Sequence, residues 1–463
     1  MGTARLKITG LLLLLTAGAG WLACSVARAD NGVNTAAAAN ADDGEGVPYW
    51  VPQLLAAQYT GIRQHLYPFG AAYSGPLSLT PDGDTQTSNT FGAYFGMPMT
   101  SHWQAYLDLE MFKGAGIGNA AGLGGLTNGD VIRAGNDLSK SPYIARAYLQ
   151  YTLPLAPGAV PVSRAQDQLP GAQPLSAFVF KLGKLAVPDD FDQNRYADNT
   201  RTQFENWTFI NNVAWDYAAD TRGYTDGVVL GYLQPAWLLK FGVYRMPERA
   251  NQEALEWPIT LAHGDNLELD LMPGQYGTVI RLLAYRNVAR MGIYSQAIAI
   301  AQQTGTNPDI VADDAEGRVK HGFAVNLEQP LADDGETGVF LRAGWNDGRT
   351  GTFAYTEVDR TASVGVQLSG VHWGRADDLL GFAVAYNGLS SQHTAYLEAG
   401  GCGFDLCDGA LNYGYEKILE AYYRIQVGKY VQVSPDMQFI SNPGYNRDRG
   451  PARVIGLRLH ANY

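Results

Sequence analysis

Apolar and polar residues alternate along the last stretch of the chain. In the final residues, one face carries Ile455, Leu457, Leu459, Ala461 and Tyr463, and the other carries Gly456, Arg458, His460 and Asn462. A period of two predicts a β-strand. Taken alone, this strand fits a soluble sandwich with its apolar side inward. It also fits a membrane barrel with its apolar side toward lipid and its polar side toward a wet lumen.

The same alternation recurs in earlier segments that turn-rich polar stretches separate. Examples are "HWQAYLDLEMF", "ARAYLQYTL", "FVFKLG" and "GVFLRAGWND". Their polar faces carry charged residues, among them Asp108, Glu110, Arg146, Lys181 and Arg342, and Tyr and Trp stand near segment ends as in an interfacial girdle. No segment after the N-terminal one has the roughly 18 consecutive apolar residues of a membrane helix. The pattern predicts an all-β fold, a transmembrane antiparallel β-barrel of about 16 strands.

The N-terminus predicts export. Arg5 and Lys7 precede the apolar run "ITGLLLLLTAGAGWLACSVA", and "ARA" precedes Asp30. A positive head, a short apolar run and a small-residue cleavage site indicate a signal peptide over residues 1–29 rather than a membrane anchor. Trp21 argues against a lipoprotein signal at Cys24. We expect a flexible leader over residues 30–57 and the barrel domain over 58–463.

Charge narrows the possible partners. Removing residues 1–29 leaves 30 basic residues against 45 acidic ones. An acidic chain repels nucleic acid, so binding of DNA or RNA is not expected. The remaining 434 residues are long for one soluble core, yet no interdomain linker interrupts them. A single undivided domain of this length also favours a barrel.

Seven blocks of the sequence can be recognised together. The most extensive is "KLGKLAVPDDFDQNRYADNTRTQFENWTFINNVAWDYAADTRGYTDGVV" (Lys181–Val229). Six more follow in order: "GFAVNLEQPL", "GVFLRAGWNDG", "YTEVDRTASVGVQLSG", "WGRADDLLGFAVAYNGLS", "HTAYLEAGG…DGALNYGYEKILEAYY" and "NPGYNRDRGP". These blocks resemble carbohydrate-selective porins of the OprB type, and the resemblance covers the chain from about Gln58 to Tyr463. It implies an outer-membrane barrel through which small sugars diffuse passively after Sec-dependent export.

This resemblance also implies a location in the outer membrane and a set of partners. The partners are small carbohydrate solutes, outer-membrane lipid and lipopolysaccharide, and the assembly machinery that recognises a terminal aromatic strand. An export barrel for polysaccharide is the alternative, but it should need a periplasmic helical scaffold, for which residues 30–57 are too short. The oligomeric state stays open.

The segment Asp189–Asp226 is the best candidate for a constriction loop, because it combines carboxylates, amides, guanidinium groups and indoles. Such groups bind sugar hydroxyls and stack on sugar C–H faces. The candidate sugar contacts are Glu110, Arg146, Lys181, Asp192, Arg195, Trp207, Trp215 and Asp216. Some of them could instead brace one another through ion pairs, or the Trp residues could face lipid.

Catalytic and cofactor signals are poor. The chain has no G-x-S-x-G elbow, and "GAGIGNAAGLGG" (Gly114–Gly125) lacks the G-x-G-x-x-G spacing, so a turn or constriction loop is the better interpretation. Clustered carboxylates could in principle serve a glycosidase, but an Asp-rich loop produces such clusters by chance. The His and Cys residues show no metal-ligand spacing. We expect no enzyme activity, cofactor or metal.

Two cysteines depart from the family pattern. Cys402 and Cys407 are the only ones after the signal peptide, and the periplasm is oxidising. A local disulfide that staples a loop is therefore expected, with two free thiols as the alternative.

Overall fold

The computed structural model describes residues 53–130, 140–274, 277–353 and 356–463. The predicted signal peptide and nearly all of the predicted leader lie outside these residues. The first strand begins at Leu54, ahead of the barrel boundary expected at Gln58.

Sixteen of the described strands close into one antiparallel barrel, in which each strand pairs with its neighbours along the chain and the last pairs with the first. The first nine strands are β1 (Leu54–Leu66), β2 (Asp84–Pro98), β3 (Trp103–Gly114), β4 (Tyr143–Pro154), β5 (Ala159–Val162), β6 (Gly171–Pro174), β7 (Ala177–Leu185), β8 (Thr225–Gln234) and β9 (Trp237–Arg245). The others are β10 (His263–Leu271), β11 (Val279–Met291), β12 (Ala315–Ala332), β13 (Thr337–Asn346), β14 (Arg360–Ser369), β15 (Leu379–Gly388), β16 (Glu416–Val427), β17 (Val431–Ser441) and β18 (Ala452–Asn462). Strands β5 and β6 form a separate hairpin between β4 and β7. The predicted barrel and its strand number are confirmed.

The terminal strand shows which face each side chain takes. Ile455, Leu457 and Leu459 are 46%, 53% and 42% exposed, whereas Arg458 and His460 are 0% and 3% exposed. The apolar side of β18 therefore points out of the barrel and its polar side points in. A soluble sandwich would show the reverse, so this strand decides between the two interpretations of the pattern.

The shortest turns lie at one end of the barrel, and most long loops lie at the other. The exception is the connection 155–176, which carries the β5–β6 hairpin at the same end as the short turns. Strands β8 and β9 are joined by residues 235–236 alone, and β16 and β17 by residues 428–430. At the other end, the connections include residues 186–224, 246–262, 292–314, 347–359 and 389–415. Bacterial outer-membrane barrels place short turns in the periplasm and longer loops outside the cell. We call these the short-turn end and the long-loop end.

Three α-helices lie in the long-loop connections: α1 (Trp207–Ile210), α2 (Tyr294–Thr304) and α3 (Ser391–Glu398). Gly305 ends α2 with φ +72°, and its amide donates to the Ala301 carbonyl at 2.8 Å. Ser390 caps α3, because its hydroxyl accepts from the His393 amide at 3.0 Å. Short 3₁₀ turns occur at Ile117–Asn119, Val187–Asp189, Asp333–Gly335, Gly370–Trp373 and Pro443–Tyr445. Among the described residues, no helix is long and apolar enough to cross a membrane.

Candidate functional site

Residues 186–224, which connect β7 to β8, fold into the barrel and occupy much of its lumen; we call them the inward segment. Their side chains are mostly buried, and they contact inward-facing residues on strands all around the barrel. Trp215 Nε1 donates to Asn266 on β10 at 2.9 Å. On the opposite wall, Asn206 Nδ2 donates to Gln438 on β17 at 3.0 Å. The inward-folded loop predicted from the sequence is therefore confirmed as a feature of the fold.

Asp192 is a structural hub of the inward segment. It is 1% exposed, and its Oδ2 lies 3.1 Å from the Arg342 Nε and accepts from the Asn212 amide at 2.6 Å. Its Oδ1 accepts from Asn326 Nδ2 at 2.8 Å. Arg342 also donates to the Ala197 and Phe209 carbonyls. A buried ion pair that is also hydrogen-bonded fixes the path of the chain, because either partner left alone is costly.

Asp216 holds the end of the inward segment against another loop. Both of its carboxylate oxygens accept from the Phe353 amide at 3.0 Å, and Oδ2 lies 3.1 Å from Lys320 Nζ. The carboxylate is buried, so these partners replace water. Asp216 thus joins β12, the β13–β14 loop and the inward segment.

Residues 115–130, after β3, form a second inward fold. The amides of Gly124 and Gly125 donate to the Glu416 carboxylate at 3.2 and 3.0 Å. A Cβ at Gly125 would lie 2.0 Å from the Thr208 Oγ1, so glycine is needed for this close approach. The Gly-rich run therefore allows close packing between the second inward fold and the inward segment.

An open cavity of about 180 Å³ lies between the inward segment, the second inward fold and the wall formed by β2, β3 and β4; we call it the lumen cavity. Its charged lining residues are Glu110, Asp130, Arg146, Asp189, Arg201 and Arg222. Its ring-bearing lining includes Trp207, Tyr143, Tyr217 and Tyr224, and Asn211 adds an amide. Charged, amide and aromatic groups thus face one small volume.

The charges of the lumen cavity are paired. Arg201 lies 2.9 Å from Glu110 and 2.9 Å from Asp130. Arg146 binds Asp189 through Nε at 2.5 Å and Nη2 at 2.8 Å, and its Nη1 lies 3.1 Å from Asp108. The lining carries three guanidinium groups and three carboxylates. No net charge faces the cavity.

Tyrosine hydroxyls complete the polar lining. Tyr224 Oη donates to Glu110 Oε2 at 2.5 Å, and the Tyr143 hydroxyl reaches the same oxygen at 3.3 Å. Burial raises the pKa of the Tyr217 and Tyr224 phenols, so both stay neutral at physiological pH. The Arg146 guanidinium lies 5.3 Å from the Tyr224 ring centroid, which holds ring and cation together.

The structure brings three of the eight candidate residues together on the lumen cavity: Glu110, Arg146 and Trp207. Lys181 pairs with Asp190 at 2.6 Å and is not part of the cavity lining. Arg195 is near the short-turn end, where it lies 3.4 Å from Glu336. The remaining three, Asp192, Trp215 and Asp216, are buried in contacts with the barrel wall and loops. None of the five lines the cavity.

Sequence reasoning missed four charged residues of the cavity. Asp189, Arg201 and Arg222 lie within the predicted segment but were not singled out, and Asp130 lies outside it. The available signal was chemical: a planar guanidinium in a carboxylate-rich loop inside a barrel is a strong candidate for contact with a solute.

Among the described residues, no group of three or more His, Cys, Asp or Glu side chains is arranged to hold a metal ion. The Cys402–Cys407 pair forms a disulfide at the long-loop end.

A family model described as "Carbohydrate-selective porin, OprB family" matches residues 100–463. The chain belongs to the OprB family of carbohydrate-selective porins. This family is one of carbohydrate-selective porins, which are channel proteins of the outer membrane, and the closed barrel agrees with it.

Two individual proteins are similar to this OprB-family chain. One is "Putative porin QuiX" of Acinetobacter baylyi, 23% identical over 308 residues, which are 61% of this chain and 65% of that protein. The chain thus matches about two thirds of the length of this relative. The other is the high-pH structure of Pseudomonas putida OprB, 18% identical, with a TM-score of 0.67 over 89% of this chain and 94% of that one. At this identity, the structural likeness shows the fold.

Proposed function

We propose that this porin gives partly selective, passive passage to neutral mono- and small oligosaccharides, from outside the cell into the periplasm, through the lumen cavity. The observation that supports it is the balanced lining, with three guanidinium groups facing three carboxylates. A fixed net charge would favour ions of one sign. A paired lining offers donors and acceptors without that preference.

A sugar matches this lining group by group. Its hydroxyls accept from guanidinium N–H groups and donate to carboxylates, and its C–H faces stack on an indole. Each contact contributes about 1 kcal/mol and is offset by lost hydration, so net affinity falls in roughly the millimolar range. Weak binding is required, because a tightly held solute blocks conduction.

The sugar contacts that we propose are Glu110, Arg146, Arg201 and Trp207. Lys181, Asp192, Arg195, Trp215 and Asp216 act indirectly, by holding the inward segment in place. Each has a protein partner within hydrogen-bond or ion-pair distance.

The route to the membrane is also part of the proposal. Residues 1–29 act as a Sec signal peptide, and residues 30–57 form a leader that is not needed for conduction. The assembly machinery reads β18 with its terminal Tyr463, and the outward apolar faces meet lipid and lipopolysaccharide. Apolar outward faces such as that of β18 support this placement.

Swelling of liposomes that contain the purified protein tests the function. A neutral hexose should enter faster than the uronate and the amino sugar of the same ring size. The lining carries both signs of charge, so each charged solute is repelled by the groups of its own sign. Heat-denatured protein in matched liposomes gives the background rate. Hexose entry at that background rate would contradict the proposal.

A further inference from the structure

A second cavity, of about 350 Å³, lies at the long-loop end of the barrel; we call it the outer pocket. Four loops build it, namely the β9–β10, β11–β12, β13–β14 and β15–β16 connections. Its volume lies within the roughly 300–1,000 Å³ that is usual for small-molecule sites. It shares no lining residue with the lumen cavity.

The disulfide loop forms one wall of the outer pocket. Cys402, Gly403 and Phe404 line it, and the disulfide joins Cys402 to Cys407. Glu357 secures this loop from below, because its Oε2 accepts from the amides of Asp405 and Leu406 at 3.0 and 2.7 Å. The disulfide therefore closes this loop covalently, and Glu357 holds it against the β13–β14 loop.

Tyr396 joins the disulfide loop to the facing wall. Its hydroxyl donates to the Cys402 carbonyl at 2.8 Å and accepts from the Ile310 amide at 3.0 Å. Ile310 itself lines the pocket. One buried tyrosine thus fixes the distance between the two walls, which makes the pocket preformed rather than an accidental gap between loops.

The lining combines an apolar floor with a charged rim. Met291 and Phe353 are buried at the floor. At the rim, Asp314 pairs with Arg249 at 2.9 Å and with Arg290 at 3.4 Å. Apolar and aromatic surface next to paired donors and acceptors suits a ring with C–H faces and hydroxyl edges.

The floor of the outer pocket touches the inward segment. Phe353 lines the pocket, and its amide donates to the Asp216 carboxylate, which Lys320 also binds. A solute held here would stand directly over the structure that narrows the lumen.

We propose that the outer pocket is a carbohydrate capture site, which holds a pyranose ring at the cell-exterior mouth before it enters the lumen. The ring lies on Phe404, above the buried floor, and its hydroxyls meet the Arg249–Asp314–Arg290 group. The disulfide keeps the wall in the binding geometry. The identity of the ligand class rests on the proposed function.

Planar-bilayer recordings with a neutral hexose added on one side at a time test the site. In the wild type, addition on the long-loop side should block the current at a lower concentration than addition on the short-turn side. Val311→Trp fills the pocket, since Val311 lines it and is 57% exposed. It should raise the half-blocking concentration from the long-loop side by about fivefold or more, the effect of one or two lost contacts. The value from the short-turn side should stay unchanged.

Val371→Trp is the matched control, because Val371 is 54% exposed and lies in a turn at the opposite end. It should behave as wild type, and both variants should keep the wild-type conductance without sugar. A reductant should reproduce the Val311→Trp effect in wild type but cause no further change in the Cys402→Ser/Cys407→Ser double variant.

The outcomes separate the two proposals. Block from both sides that Val311→Trp and reductant leave unchanged would overturn the capture site alone. If the hexose neither blocks nor permeates from either side, the proposed function falls, and the capture site falls with it.

Discussion

Arg201 shows how single residues set the chemistry of the lumen. Its guanidinium lies between Glu110 and Asp130, 2.9 Å from each, and donates to the Tyr94 hydroxyl at 3.2 Å. It connects β3, the second inward fold and the inward segment. One cation thus pairs with two carboxylates beside the lumen cavity, and it keeps both in place.

Substitution of Arg201 and substitution of Glu110 should shift the ion selectivity of the channel in opposite directions. Arg201→Gln leaves the carboxylates unopposed, so the cation-to-anion permeability ratio should rise by about twofold or more, and Glu110→Gln should lower it. Reversal potentials under a salt gradient measure both effects. Arg195→Gln is the control, since Arg195 is half-exposed near the short-turn end, and its shift should be the smallest. A wild-type reversal potential for Arg201→Gln would remove Arg201 from the conduction path.

Residue positions were predictable where periodicity fixes a face. Glu110 and Arg146 lie on strands, and a period of two places each on the polar side of β3 or β4. Arg201, Arg222 and Asp130 lie in connections without a period, so only the folded path of the chain brings them to the cavity. Trp215 and Asp216 show the converse. Their side chains are of the kinds that bind sugars, but in the fold they bind other protein groups, which the sequence did not reveal.

The inward segment behaves as an element in its own right, although it contains little regular structure. Its path depends on buried polar contacts such as Asp192 with Arg342 and Asn326. Aromatic packing adds to them: the rings of Phe204 and Tyr422 lie 4.9 Å apart, edge to face. Since these contacts involve side chains of the wall, the segment and the barrel stabilise each other.

Asp192→Asn should loosen the inward segment without unfolding the barrel. Breaking a buried ion pair costs about 3–5 kcal/mol, so the channel should conduct more and fluctuate more. Asp334→Asn is the control, because Asp334 has a similar backbone (φ 53° against 55°) but is exposed in a turn. Single-channel recordings measure the difference, and the heat-dependent shift in gel migration shows that both barrels fold. Identical current traces for the two variants would contradict the role given to Asp192.

The disulfide gives a second prediction for a single element. Cys402 and Cys407 should resist a thiol-alkylating reagent in native protein, since both sulfurs are bonded, and should be labelled after reduction. Mass spectrometry of the labelled peptide counts the added groups. Labelling of both cysteines before reduction would show that the pair is free.

Among the elements of the fold, the strands were predictable from the sequence, and most of the loops were not. Alternation along β3, β4, β13 and β18 identifies strands because one face meets an apolar surrounding and the other a polar lumen. The inward position of the β7–β8 connection was predicted from its side-chain chemistry together with the family resemblance. Helices α2 and α3 carry no strong signal: buried and exposed positions in them depend on contacts between loops that are distant in sequence, such as the stacked Tyr294 and His393 rings, 4.4 Å apart.

The whole molecule combines a closed barrel, a narrowed lumen and a preformed pocket at the long-loop end. Closure through the β1–β18 pairing leaves no free sheet edge in the barrel. The outward faces are apolar, while the lining of the lumen cavity is polar and charge-balanced. This arrangement suits passage of neutral polar solutes, and membership of a porin family agrees with it rather than with a polysaccharide-export barrel.

The central claim is that sugars pass through the lumen cavity, and one measurement tests it most directly. It is the half-blocking concentration of a neutral hexose, added on the short-turn side, for wild type, Trp207→Ala and Trp257→Ala. Trp207 lines the cavity, whereas Trp257 is an indole exposed in the β9–β10 loop. Trp207→Ala should raise this concentration by about fivefold, the effect of one lost ring contact, and Trp257→Ala should match wild type. Equal values for all three proteins would place the sugar path elsewhere.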